Sequence, residues 1–79
     1  MIKNRKSLID IEKGVTTTVA EMLSSMEMKA RLMSIGLVEG TRIVPIYESP
    51  SGGLKAYEFR GCVFAIRNED AKNIIVEAC

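Results

Sequence analysis

The sequence predicts a small, mainly β barrel of about five strands with one amphipathic α-helix and one short helical turn. Three observations predict it. Segments rich in β-branched and aromatic residues recur at short intervals, at 15–20, 42–48, 54–60, 62–67 and 74–77, with glycine- or proline-marked turns between most of them. A single stretch, 25–35, carries apolar residues at helical spacing behind a capping signal. The chain of 79 residues has room for one domain, 1–79, and with aromatics at 5% its core must be aliphatic.

The elements run in order along the chain. Residues 1–6 carry Lys3, Arg5 and Lys6 and read as a frayed, solvated tail. Residues 7–12 form an entry turn that closes at Lys13-Gly14, where glycine lets the backbone change direction. The first strand is 15–20, with Val15 and Val19 on one face. Ser24-Ser25-Met26-Glu27 matches a capping box, in which the first serine and the glutamate satisfy each other's backbone donors, so a helix starts here. Met28, Leu32 and Ile35 recur along one side of it, and Gly36 closes it. Pro45 places the strand 42–48 at a sheet edge or a bulge. The loop 49–53, with Pro50 and the pair Gly52-Gly53, joins that strand to 54–60 as a hairpin, and Gly61 continues the meander into 62–67. Asn68 caps a helical turn whose first residues, Glu69 and Asp70, suit the positive end of a helix, and 74–77 is the last strand.

Composition excludes several functions. Eleven lysines and arginines against ten acidic residues leave a net charge of +1, too weak a field to gather nucleic acid. The longest apolar run, Cys62-Val63-Phe64-Ala65-Ile66, is far short of the roughly 20 residues that span a bilayer. No apolar stretch follows the basic N-terminus, so a secretory signal is not expected and the protein is placed in the cytoplasm. Cys62 reads as a small buried hydrophobe and Cys79 as a terminal thiol, without a disulfide between them. The absence of histidine removes the commonest general base and metal ligand, and no carboxylates stand at a catalytic spacing, so the chain is expected not to be an enzyme. Gly52-Gly53 does not open a helix and is better explained as a hairpin turn than as a phosphate cradle. Met22, Met26, Met28 and Met33 could in principle offer soft thioethers to copper(I), but methionine more commonly fills irregular core gaps or adaptable contact surfaces. No cofactor or resident metal is expected.

The order of residues has a counterpart. Leu8 and Gly14 at the entry, Arg31-Leu32, Ile35-Gly36-Leu37, Gly40-Thr41, Ser49-Pro50, Arg60-Gly61, and Ile66-Arg67 followed by Ala71, Ile74 and Val76 together resemble the ferrous-iron transport protein A (FeoA) family. The likeness runs from Leu8 to Val76, and Arg31 to Thr41 is its most specific part. It implies an SH3-like barrel and a cytosolic, non-enzymatic accessory of the membrane ferrous-iron transporter of FeoB type, whose cytosolic part binds GTP. The module is also similar to the C-terminal domain of iron- or manganese-dependent repressors, without their helix-turn-helix and metal-ligand parts. Arg31 and Arg67 fall at family arginine positions, where carboxylates or backbone carbonyls are expected to satisfy them.

Three functions compete: a module that docks on the transporter, a small iron carrier using carboxylates and Cys62, and an SH3-type peptide binder. The last would need aromatics, of which there are Tyr47, Tyr57, Phe59 and Phe64, with Tyr57 and Phe59 sharing a strand face and Phe59 and Phe64 assigned to the core. At 100° per residue the helix has two apolar stripes. Met28, Leu32 and Ile35 are assigned to the core, and Met26, Met33 and Leu37 to an exposed patch that meets a partner or a second copy of the chain. The alternative is that the N-terminal segment or the loop 49–53 covers that patch.

Overall fold

In the computed structural model, which describes residues 4–78, the chain begins with a strand where the sequence reads as a tail. β1 (Arg5–Ser7) pairs antiparallel with β6 (Ile74–Ala78), Lys6 opposite Val76. The Arg5 guanidinium stands 3.7 Å from both Glu21 and Glu77, and the Ser7 hydroxyl donates to the Lys72 carbonyl at 2.8 Å. Arg5 is thus held by carboxylates on neighbouring strands. Lys3 lies outside the described residues.

A 3-10 turn (Leu8–Asp10) comes next, then β2 (Thr17–Met22), α1 (Met26–Ser34), β3 (Arg42–Glu48), β4 (Leu54–Phe59), β5 (Cys62–Arg67) and α2 (Asn68–Ala71) before β6. The strands form one antiparallel sheet in the order β1-β6-β2-β3-β4-β5. The architecture is the mainly β, SH3-like one expected, with six strands in place of about five and a sheet left open at β1 and β5.

Pro45 sits where its missing N–H costs no ladder bond. Its pairing with Tyr57 is one in which the backbone groups point away from β4, β2 stops pairing at Ile43, and the register slips just after the proline. The Pro45 carbonyl on that side accepts from Gly14 N–H at 2.8 Å. Between β4 and β5, Arg60 (φ 55°) and Gly61 (φ 79°) form a two-residue turn with both residues left-handed, setting Phe59 opposite Cys62.

Helix α1 starts one residue later than the capping-box pattern implies. Ser25, in extended conformation, accepts from Met28 N–H at 3.2 Å, while the Ser24 hydroxyl is buried without a partner among the described residues. Glu27 is therefore a second-position residue and reaches toward Arg31, 4.0 Å away, rather than back to a cap. The other end is a Schellman closure: Gly36 N–H bonds Met33 carbonyl at 3.0 Å and Leu37 N–H bonds Leu32 carbonyl at 2.9 Å. Gly36 has φ 94°, and a Cβ there would stand 2.9 Å from the Arg60 side chain, so two of the family-like motifs meet at this point. Thr41 Oγ1 then accepts from Val38 N–H at 3.1 Å and donates to the Gly36 carbonyl at 3.4 Å. The segment from Arg31 to Thr41 is mostly fold-building.

In α2, Asn68 is the first helical residue rather than the cap. Its amide donates instead to the Gly52 carbonyl at 2.6 Å, and its N–H to Gly53 carbonyl at 3.0 Å, tying down the loop after β3.

Candidate protein-interaction surface

The two stripes of α1 separate as the 100° spacing requires. Leu32 is buried, and Met28 and Ile35 pack half-buried against the core beside it. On the other side Met26 is 88% exposed and Met33 is 59% exposed, with Lys29 and Ala30 between them, both exposed. This outward face borders a groove of about 340 Å³ lined by Met22, Lys29, Met33, Val38 and Glu39. Lys29 and Glu39 give it one charge of each sign around apolar walls. Leu23, just before α1, is 58% exposed and belongs to neither periodic pattern of the sequence.

Leu37 does not join this face. It is fully buried at 0% exposure, because the Schellman closure reverses the chain at Gly36 and carries the next residue inward, where it joins the core with Leu32. Extending the helical wheel past a left-handed glycine misplaced it. The N-terminal strand lies on β6 and the loop after β3 is bound by Asn68, so Met26 and Met33 remain open among the described residues.

Cys62 is also corrected: it is exposed and free rather than buried, since it is the first residue of an edge strand, at the hairpin end. Cys79 lies outside the described residues. Among the described residues no three Cys, Asp or Glu side chains gather in a way that could hold an ion. The methionines divide, Met22 buried and Met28 half-buried, Met26 and Met33 outside.

Tyr57 and Phe59 share the inward face of β4 and are buried, and Phe64 stacks on Phe59 with ring centroids 5.1 Å apart. Tyr47 is the aromatic left exposed, so the aromatic-lined groove of a proline-peptide binder is not assembled. Burial, and behind it the Glu48 carboxylate, push the Tyr57 hydroxyl up to about 12. Arg31 and Arg67 are exposed and each meets one carboxylate, Glu27 at 4.0 Å and Glu69 at 3.6 Å. Among the described residues no helix is long and apolar enough to cross a membrane.

The FeoA domain family matches residues 6–78. Among solved structures, a FeoA-like protein from Clostridium acetobutylicum is 28% identical, with a TM-score of 0.85 over 99% of this chain and 90% of that one. A protein described as iron uptake regulatory protein (FeoA) is 25% identical, with a TM-score of 0.79 over 92% of this chain and 95% of that one. A manganese-dependent transcriptional repressor shares the fold alone, at 19% identity and a TM-score of 0.89, with the whole of this chain matching 44% of that one. No curated protein matches the chain significantly. With residues 6–78 of its 79 matched, the chain belongs to the FeoA domain family.

Proposed function

We propose that this chain is a cytosolic, non-enzymatic accessory of ferrous-iron uptake, and that the outward face of α1 docks it on the cytosolic GTP-binding part of a membrane ferrous-iron transporter of FeoB type. Membership of the FeoA domain family supports the link to iron uptake, as do solved relatives described as iron(II) transport protein A and iron uptake regulatory protein. The observation that carries the docking face is the exposure of Met26 and Met33 on a helix whose other apolar stripe already fills the core. Nothing in the fold requires large apolar side chains there, and flexible thioethers beside an apolar groove suit an adaptable helix-to-protein contact.

The test is the double variant Met26→Asp with Met33→Asp, assayed by co-purification with the transporter. Stability should change by less than about 1 kcal/mol, as for surface substitutions, while capture of the transporter is lost. A variant that unfolds, or one that is captured as well as the unaltered chain, overturns the assignment of this face. Loss of self-association in place of transporter capture would mark the face as a contact between copies.

A further inference from the structure

The two edges of the sheet are built differently. β1 is three residues long and carries Arg5 and Lys6, the short, charged form that discourages pairing with another strand. β5 is six residues long, apolar from Cys62 to Ile66, free of proline and lysine, and pairs with β4 without a bulge. Its one charged residue, Arg67, stands at its end.

Its register shows which backbone groups are open. The two-residue turn makes Phe59 and Cys62 a hydrogen-bonded pair, so Tyr57 with Phe64 and Lys55 with Ile66 are too, and the Asn68 N–H to Gly53 carbonyl bond at 3.0 Å continues the same alternation. Val63 and Ala65 therefore turn both N–H and C=O to the free side, and Arg67 its N–H, its carbonyl being taken by the first turn of α2.

A groove of about 360 Å³ runs along that side. Phe64, Ala65 and Ile66 line it consecutively, and since alternate side chains point to opposite faces, a groove that meets all three looks onto the strand's edge. Met28, Leu32 and Ile35 of α1 form the facing wall. The charged lining, Arg31 and Arg67 with Glu69 and Asp70, sums to zero. One wall thus offers unpaired ladder groups, the other apolar side chains, and the charges match a neutral occupant.

We propose that this groove takes an extended, neutral, proline-free segment of a partner protein, added beside β5 as a seventh strand. Its backbone pairs with Val63, Ala65 and Arg67, and its alternate apolar side chains enter between β5 and the core-side flank of α1. The site lies across the helix from Met26 and Met33 and does not depend on that face docking anything.

The test is a titration of the full, isotopically labelled chain with a blocked peptide of alternating valine and threonine, followed by amide resonances and hydrogen exchange. The Val63, Ala65 and Arg67 amides should shift, and their exchange should slow at least about tenfold at saturation. The same peptide with alternate amides methylated should not bind. Ala65→Pro removes a donor that β4 does not use, and should weaken binding at least about tenfold with the melting temperature unchanged. Should that variant fail to fold, the methylated peptide carries the same test. The proposal is overturned by no shifts at about millimolar peptide, by equal binding of the methylated peptide, or by shifts confined to Met26 and Met33. Concentration-dependent protection of the three amides without peptide would also overturn it, giving the edge to a second copy of the chain.

Discussion

Tyr57 lies in the core with its hydroxyl unpartnered among the described residues, and burial holds its pKa near 12 against an ordinary value of 10.0. Because the folded value is raised, the stability tied to the protonated hydroxyl is complete below pH 10.0 and is lost as the pH rises toward about 12, where the unfolded chain ionises first. The expected slope in that window is about 1.4 kcal/mol per pH unit. Tyr57→Phe should abolish that component, seen as denaturation midpoints at pH 10 and 11.5 that differ less in the variant than in the unaltered chain. At neutral pH the variant should be as stable or more so, since the lost hydroxyl made no bond. Equal alkaline slopes in both chains would refute the burial of that hydroxyl. Strand alternation put Tyr57 and Phe59 on one face, and the assignment of Phe59 to the core gave that face its direction; the exposure of Cys62 came from β5 being an edge.

For α1, adjacent serines make the cap ambiguous in sequence and unambiguous in space. Ser25 accepts the Met28 N–H, so Ser25→Ala should cost about 1 kcal/mol in chemical denaturation. Ser24→Ala should cost nothing or stabilise slightly, because it removes a buried hydroxyl with no partner among the described residues. The opposite ranking of the two variants would return the cap to Ser24. The start of the helix is read from side-chain chemistry that two neighbouring residues share, and only the φ and ψ of Ser25 separate them. Its end is more legible, since Gly36 announces a left-handed closure. The path of the chain beyond Gly36 is less so: Leu37 goes to the core because the backbone reverses there, a direction that no extension of the 100° wheel contains.

Across the whole molecule, β1 sets where the sheet ends. Deleting residues 1–7 should lower stability by on the order of 2 kcal/mol, the loss of two or three ladder bonds of about 1 kcal/mol each, and should speed exchange of the β6 amides. A frayed tail would give no change in either, and that result would remove β1 from the fold. The strands from 42 onward, the helix and its two apolar stripes, the turns at Gly36 and Gly61, and the FeoA domain family are legible in the amino-acid order, because they rest on local periodicity, on glycine's access to positive φ and on the spacing of motifs. The rest depends on contacts between segments distant in sequence. The strand at Arg5–Ser7 is too short and too basic to be read locally and exists because β6 offers it partners and Glu21 and Glu77 neutralise Arg5. The open edge of β5, the exposure of Cys62 and the burial of Leu37 likewise depend on what lies beside each residue in space, which pairing and packing fix and no local pattern of side chains specifies.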